Sequence, residues 1–374
     1  MTDLVLPVSL GEALDKLTIL DIKCEKIMDG RRADCLKEYE TLLALLQKYV
    51  SSFPWLYRIL KEINLTIWNL QDTFHGKEVG DLSGARICAQ ILKENDRRFR
   101  VKAKINALTA SSLREVKGYA KKKAFIYGHL GLGDMFWLNG AVRYLATCYD
   151  EVLVVCKKKY EANVAPLYAD DATIKLHVIE DDAELFPFAL VHGPSWEAKG
   201  YSVYACGNHL INPLNPPIES WIYEFPLCFY DDLELPREIR QTYFHIPTHP
   251  DSASLVRLVK QWSPKYIVVH QQSQNKKLPI WETISQRTQD PIFDLNENHY
   301  FPGHPYYIIA EMVVNKPLYE YKGLLEEAAE IHLLESSVYC MATHLDLSRV
   351  AVKKCYDAFD GSNERIGVFE TATL

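Results

Sequence analysis

The spacing of apolar residues changes near residue 120, and this change divides the chain into two parts with different secondary structure. Before it, apolar residues recur every three or four positions, which is the period of amphipathic helices. After it, short apolar runs alternate with glycine-containing loops and longer apolar stretches, which is the order of a parallel α/β sheet. One fold class cannot account for both patterns, and a length of 374 residues fits two to three domains.

The first 118 residues are predicted to form four helices joined by short turns. Ser9 and Glu12 have the spacing of a capping box at the start of the first helix. The second helix contains an apolar stripe over residues 35–46, the third begins near Pro54, and the fourth begins near Gly84.

Two stretches of this part resemble an uncharacterised family of helical domains found in bacteria and large viruses. They are residues 11–23 and residues 95–119. The resemblance covers nearly all of the helical part, and it implies no known chemistry. Broad apolar stripes on these helices predict that the part pairs with a second copy of itself.

The net charge of −7 conceals two parts of opposite sign. Residues 1–120 contain 19 Lys and Arg against 16 Asp and Glu, and the remainder contains 23 against 33. Residues 93–123 hold eleven basic and three acidic residues, whereas residues 181–234 hold nine acidic and one basic residue. We expect the basic segment to form a solvated face or to contact the acidic one. Nucleic-acid binding is an alternative that the acidic remainder disfavours.

The part after residue 118 is predicted to contain two Rossmann-like halves of similar size. Each half has strand, loop and helix patterns in alternation, which favours parallel sheets. A turn at Thr248 to Pro250 is the candidate hinge between them. The predicted domains are therefore 1–118, 119–248 and 249–374.

A glycine-rich loop at residues 128–135 carries the strongest chemical signal. It has the glycine spacing of a Walker A loop, but Asp134 and Met135 stand where Lys and Ser or Thr are needed. It also lacks the third glycine of a dinucleotide-binding loop. The pattern fits better a turn where phosphate or acceptor approaches the backbone, with Asp134 as a carboxylate base. His129 is a competing candidate base, and a simple helix cap is the structural alternative for Asp134.

Residues 131–145 resemble the first loop and helix of GT-B glycosyltransferases, especially the ADP-heptose lipopolysaccharide heptosyltransferase family. In that family the aspartate of a Gly-Asp pair is thought to activate the acceptor hydroxyl, and the resemblance gives this role to Asp134. We also predict that Gly131 and Gly133 contact the donor, and that Asn139 and Arg143 contact the acceptor.

Residues 330–342 are similar to the strand and helix that contact the donor diphosphate in the same family. The resemblance implies this role for Ser336 and Ser337, while Glu335 stands where an Asp is usual. An ordinary N-cap is the alternative for these serines. Ligands of parallel sheets bind at the carboxyl ends of strands, so two more polar loops are predicted to contact the donor. They contribute His270, Ser273, Lys276 and Asn296.

Other enzyme classes lack their signatures in this sequence. There is no D-x-D of metal-dependent glycosyltransferases, no H-E-x-x-H, no G-x-S-x-G and no Cys/His cluster with zinc spacing. We therefore expect neither a metal nor a cofactor. Nine cysteines without a C-x-x-C pair fit reduced thiols, and no apolar run is long enough to span a membrane, so we expect a cytoplasmic protein.

Together these features predict a helical bundle followed by a compact GT-B fold of two Rossmann-like domains. The resemblance implies transfer of a sugar from a nucleotide-diphosphate sugar to a hydroxyl of a glycan or glycoconjugate, with inversion and Asp134 as general base. The alternatives are a glycosyltransferase acting on hydroxymethylated DNA bases and a catalytically silent scaffold that oligomerises.

Overall fold

The structure is a computed structural model of the whole chain. It describes residues 6–75, 82–113, 115–118, 120–128, 131–180, 195–206, 226–274, 276–357 and 366–373. The chain forms two compact units. One comprises residues 1–122 together with 145–150, and the other comprises residues 123–144 and 151–374.

The first unit is a bundle built on four long helices, as the apolar period predicts. The helices are α1 (Leu10–Lys26), α2 (Arg31–Ser52), α3 (Pro54–Phe74) and α4 (Leu82–Leu108). Half of the predicted capping box is present, since Ser9 Oγ accepts the Glu12 N–H at 3.2 Å, whereas the Glu12 carboxylate binds Lys102. Helices α1, α3 and α4 pack on one another around an apolar core. Its most buried side chains include Leu14, Leu17, Ile59, Ile63, Val101 and Ile105.

Part of the basic segment, residues 93–123, forms ion pairs within its own unit. Four of its basic side chains bind carboxylates of the same unit. The pairs are Arg97 with Glu94 at 2.7 Å, Arg100 with Asp150 at 3.0 Å, Lys102 with Glu12 at 2.5 Å and Glu115 at 2.8 Å, and Lys117 with Asp96 at 2.9 Å. The expectation of a solvated face is therefore wrong for these residues, because the positive charge balances carboxylates inside the bundle. The acidic segment expected to contact them lies largely outside the described residues.

The second unit contains two parallel sheets. The first consists of β1 (Lys123–Tyr127), β2 (Glu151–Lys157), β3 (Ile174–Ile179) and β4 (Tyr201–Ala205), in the order β3-β2-β1-β4. The second consists of β5 (Ile267–His270), β6 (Ile292–Asp294), β7 (Glu330–Leu334), β8 (Val352–Tyr356) and β9 (Glu370–Ala372), in the order β6-β5-β7-β8-β9. Neighbouring strands are parallel in both sheets. The predicted class, a helical bundle followed by two Rossmann-like halves, is confirmed.

The helix that follows β1 is the longest helix that the structure describes after the bundle. It is α5 (Leu132–Cys148), whose buried residues include Phe136, Leu138 and Val142. Shorter helices connect the remaining strands. They are α6 (Glu161–Val164), α7 (Cys228–Asp232), α8 (Ile239–Thr242), α9 (Pro250–Trp262), α10 (Ile280–Ser285), α11 (Tyr307–Val313), α12 (Tyr321–Glu326) and α13 (Ser337–Ala342). Within the described residues, none of the helices combines the length and apolar character needed to span a membrane.

The strand orders place a switch point in each sheet. The chain leaves β1 toward β2 on one side, and β4 pairs on the other side. In the second sheet the chain leaves β5 toward β6, and β7 then pairs on the opposite side of β5. Loops that leave in opposite directions open a crevice at the carboxyl ends of the strands, where doubly wound proteins bind ligands. The fold therefore predicts ligand binding after β1 in one half and after β5 and β7 in the other.

The sequence places some elements inexactly. The strand predicted at residues 350–352 is β8, which begins at Val352 and extends to Tyr356. Strands β3, β4, β6 and β9 were not predicted. β6 and β9 contain only three residues each, and β3 and β4 have partly exposed faces, so none forms a continuous apolar run.

Replacement of Arg97 by Ala tests whether the basic segment is a structural part of the bundle. Arg97 is buried, and besides Glu94 it binds Thr147 Oγ1 at 3.0 Å. The change leaves the buried Glu94 carboxylate without its cation, so we expect the free energy of unfolding to fall by about 3 kcal/mol or more. Chemical denaturation measures this loss.

Lys16→Ala is the matched control, because Lys16 and Glu38 form a salt bridge on the surface of the same bundle. Exposed pairs contribute roughly 0 to 1 kcal/mol. Equal losses for the two variants would contradict the structural role of Arg97.

Candidate functional site

A polar cavity of about 500 Å³ lies where the strand ends of the two halves meet. Its volume is within the range of sites for small ligands. Loops after five different strands, β1, β2, β5, β6 and β7, contribute to its wall. The lining residues are Gly131, Leu132, Gly133, Tyr160, His270, Gln272, Ser273, Gln274, Asn296, Ser336 and Ser337.

The structure thus brings together seven of the residues predicted from sequence. These are Gly131, Gly133, His270, Ser273, Asn296, Ser336 and Ser337. They come from both halves of the unit, and they are separated by up to about two hundred positions in the sequence. Their convergence is produced by the switch points of the two sheets.

The described part of the cavity wall contains hydroxyl, amide and imidazole groups but no carboxylate, ammonium or guanidinium group. Two lysines of the loop after β5 are held by carboxylates instead. Lys276 pairs with Asp357, and Lys277 binds Glu297 at 2.7 Å. In this conformation the ammonium group of Lys276, which is predicted from sequence to contact the donor, therefore binds Asp357 instead.

Asp134 caps the helix that begins at the cavity. Its Oδ2 accepts the backbone N–H of Gly131 at 3.1 Å, which is the contact that an acidic residue in the first turn makes with the residue before the helix. The residue keeps some exposed surface, but its carboxyl group is surrounded by protein. Burial raises the pKa of Asp134 from 3.8 to about 7, and the Gly131 N–H opposes this shift. Asp134 lies beside the cavity wall and does not line it.

Two glycines of the loop lie in close contacts that a side chain would disturb. A Cβ added at Gly131 would lie 2.7 Å from Asp134 Oδ2, so a side chain there would displace the capping carboxylate. A Cβ added at Gly133 would lie 2.8 Å from Cys340 Sγ and 3.6 Å from Ser337 Cα. Gly133 therefore allows the start of α5 to approach α13, which belongs to the other half.

Asn296 holds the loop after β5 in place. Its Oδ1 accepts the backbone N–H groups of Gln271 and Gln272 at 3.1 and 2.9 Å, and its Nδ2 donates to Gln272 O at 3.2 Å. These bonds satisfy the loop backbone and fix the wall of the cavity. The Asn296 side chain thus shapes the site, and its predicted donor contact stays a prediction.

The two predicted acceptor contacts are not brought to the cavity. Arg143 is buried, where its guanidinium binds Asp170 Oδ1 at 2.7 Å and Leu167 O at 2.6 Å. Asn139 is also buried, and its Oδ1 accepts the His245 N–H at 2.9 Å. Both side chains face the packed interior of the first half, so neither presents a polar group to a ligand in this conformation.

Two other predicted residues have different outcomes. Glu335 directly precedes the cavity residues Ser336 and Ser337, and its backbone N–H donates to Tyr356 O at 3.3 Å. It is not part of the cavity lining. His129, the competing candidate base, lies outside the described residues.

Four residues of the lining are not among the predicted site residues. Leu132, Gln272 and Gln274 lie in loops that are predicted to bind ligand, whereas Tyr160 lies outside every predicted segment. Tyr160 follows β2 and is the only aromatic side chain besides the His270 imidazole in the described wall. Because ligands of parallel sheets bind after the strands and the apolar run of β2 is visible in the sequence, the position of Tyr160 after β2 is the signal that identifies it.

The described residues contain no group of three or more His, Cys, Asp or Glu side chains arranged to hold a metal ion. The prediction that the chain needs no metal rests on the sequence and stays a prediction.

Comparison with known proteins finds similar solved structures at low sequence identity. The iron-containing dodecameric glycosyltransferase TibC of enterotoxigenic E. coli shares 17% identity over 66% of this chain and 61% of its own, with a TM-score of 0.38. The structure of TibC in complex with ADP-D-beta-D-heptose shares 16% identity over 64% of this chain and 60% of its own, with a TM-score of 0.36. A family 9 glycosyl transferase of Veillonella parvula shares 10% identity over 67% of this chain and 86% of its own, with a TM-score of 0.39.

The chain thus spans about 61% of the length of TibC. No family model and no curated protein sequence matches the chain. These likenesses are too weak to transfer an activity, so the functional argument rests on the cavity.

Replacement of Gly133 by Ala tests the contact between α5 and α13. The new methyl group collides with Cys340 Sγ, and we expect a loss of about 1 to 3 kcal/mol in the free energy of unfolding. Thermal and chemical denaturation measure it. The double variant Gly133→Ala/Cys340→Ala removes the obstructing sulfur. We therefore expect Gly133→Ala to cost less stability in the Cys340→Ala background than in the wild type. Additive losses in the double variant would contradict this close contact.

Replacement of Asp134 by Asn tests the buried carboxyl group through the pH dependence of stability. Below about pH 4 the carboxyl is protonated in both states. Between pH 4 and pH 7 only the unfolded chain releases the proton, so stability falls as pH rises, and above pH 7 the penalty is constant. We expect Asp134→Asn to unfold like the wild type near pH 4 and to be more stable by roughly 4 kcal/mol above pH 7.

Denaturation from pH 4 to pH 8 measures the difference. Asp346→Asn is the control of opposite sign, because hydrogen bonds from Ser348 lower the pKa of the exposed Asp346. That variant is expected to lose a little stability at neutral pH. An Asp134→Asn variant no more stable than wild type at pH 8 would contradict the raised pKa.

Proposed function

We propose that the chain is a glycosyltransferase that moves a sugar from a nucleotide-diphosphate sugar to a hydroxyl group of a glycan or another glycoconjugate. One observation carries the proposal. Loops from the switch points of two parallel sheets meet in one polar cavity beside a carboxyl group whose pKa is about 7. The sequence resemblance of residues 131–145 and 330–342 to heptosyltransferases supports this reading.

The cavity wall suits the diphosphate of such a donor. The first turn of α5, at Leu132 and Gly133, presents backbone N–H groups that have no helical partner, and a 17-residue helix favours an anion at this end. Ser337 adds a hydroxyl group that can donate a hydrogen bond, whereas the hydroxyls of Ser273 and Ser336 already contact Lys276 O and His270 Nδ1. Preorganised donors of this kind stabilise the charge that grows on a departing diphosphate.

Asp134 is the proposed general base. In a single displacement, the acceptor oxygen bonds to the anomeric carbon as the bond from this carbon to the diphosphate oxygen breaks. The acceptor proton passes to the Asp134 carboxylate, and the configuration at the anomeric carbon is inverted. A base with a pKa near 7 is well matched to this transfer at neutral pH. The acceptor hydroxyl has to approach Asp134 at the edge formed by Gly131, because the carboxylate adjoins this edge.

The DNA-modifying alternative receives no support from the bundle. Arg97, Arg100, Lys102 and Lys117, which the sequence offers for phosphate contacts, are paired with carboxylates in the same unit. Self-association through the helices and a location in the cytoplasm stay predictions.

A thermal-shift series with ADP, UDP, GDP and CMP tests the donor site. We expect at least one nucleotide to raise the melting temperature of the full chain, because a ligand that binds only the folded state stabilises it. Sugar transfer from the matching nucleotide sugar is then measured for the wild type and Asp134→Asn. Loss of the base should lower the rate by about 10² to 10⁴ with the nucleotide-induced shift retained.

The pH profile of the wild type provides a second measure. Transfer is expected to rise with pH and to reach half its maximum near pH 7, because only ionised Asp134 accepts the proton. An Asp134→Asn enzyme with wild-type transfer would contradict the base assignment. Absence of a thermal shift with every nucleotide would contradict the donor site itself.

A further inference from the structure

A serine and a histidine from adjacent strands form a bonded pair in the cavity wall. His270 is the last residue of β5, and Ser336 follows β7, which pairs with β5 in parallel register. The Ser336 Oγ and the His270 Nδ1 lie 3.2 Å apart. Both residues line the cavity. The pair connects two loops of the site independently of any ligand.

The surroundings of Ser336 favour its hydroxyl as the donor of this bond. Ser336 is the N-cap of α13, and its Oγ accepts the backbone N–H of Tyr339 at 3.4 Å. Its hydroxyl proton is therefore free to point to the neighbouring acceptor, which is the lone pair of His270 Nδ1. A neutral imidazole that accepts at Nδ1 carries its proton at Nε2.

His270 is held in the neutral form. The residue is only 7% exposed, and burial lowers its pKa to about 4. At neutral pH the ring thus has one N–H group. Among the residues that the structure describes, the Nε2 atom has no hydrogen-bond partner. His270 lines the cavity, and a ligand in the cavity can supply an acceptor for this N–H group.

We propose that Ser336 is a positioning residue that fixes His270 in the Nε2–H tautomer, and that His270 donates this hydrogen bond to an anionic oxygen of the bound diphosphate. The ligand assignment rests on the proposed function, whereas the tautomer does not. A neutral donor suits a wall whose described side chains include no cation, because it contacts the anion without the cost of burying a second charge.

The tautomer is measured by long-range ¹H–¹⁵N NMR on the ligand-free full chain with ¹⁵N-labelled histidine. The His270 signals are identified by their absence in His270→Phe. We expect the wild type to show a protonated Nε2 and an unprotonated Nδ1. Ser336→Ala should populate the Nδ1–H form, and Ser336→Thr, which keeps the hydroxyl, should restore the wild-type pattern.

Ser273→Ala is the matched control for this measurement. Ser273 lines the same cavity, but its hydroxyl donates to Lys276 O and makes no bond to His270. Its removal should leave the His270 signals unchanged. A wild-type His270 protonated at Nδ1, or an unaltered tautomer in Ser336→Ala, would overturn the positioning role of Ser336.

Calorimetric titration with ADP, UDP and GDP tests the ligand contact. For the nucleotide that binds the wild type, His270→Phe should weaken affinity about 10-fold or more, because it keeps a ring but loses the donor. Ser336→Ala should weaken it less, and Ser336→Thr should bind like the wild type. Unchanged affinity in His270→Phe would overturn the contact while leaving the proposed function intact. If no nucleotide binds the wild type, the diphosphate is wrong as the ligand, and the NMR result still decides the role of Ser336.

Discussion

The close packing of α5 against α13 at Gly133 is the contact on which the cavity depends. A parallel sheet by itself provides a crevice at one edge, but a site of this size needs the strand ends of both sheets to face each other. The backbone of α5 reaches α13 because Gly133 has no side chain, and Cys340 fills the space that a Cβ would need. The chemistry of the site follows from this approach, since it places the loops after β1 and β7 in one wall.

At the same helix start, Asp134 combines a capping hydrogen bond with a buried carboxyl group. The residue closes the first turn of α5 by binding the Gly131 N–H, which is a structural task. Burial raises the free energy of the ionised carboxylate, and this raises the pKa of Asp134 to about 7. Structural caps on the surface gain nothing from such a shift, whereas a base that works at neutral pH does. The cap and the base are therefore compatible roles, and the cap supplies the orientation that a base needs.

Much of the architecture could be predicted from local patterns, because helical periodicity and the strand-loop-helix order are properties of short segments. Six of the seven predicted residues that meet in the cavity do so for the same reason, since they lie at or after the recognisable buried strands β1, β5 and β7, whereas Asn296 follows the short strand β6. The failures involve long-range partners. Arg143 and Asn139 look available in sequence, yet Asp170 and His245, which lie far away in the chain, engage them in the interior. Likewise, the basic segment looks solvated until its carboxylate partners are placed.

The proposed function requires the cavity between the two sheets to bind the diphosphate of a nucleotide donor. A crystal structure of the chain with the nucleoside diphosphate that stabilises it is the most direct test. We expect diphosphate oxygens within hydrogen-bond distance of the Leu132 or Gly133 N–H on one side and of the His270 Nε2–H or the Ser337 hydroxyl on the other. A nucleotide bound elsewhere, with this cavity filled by water, would contradict it.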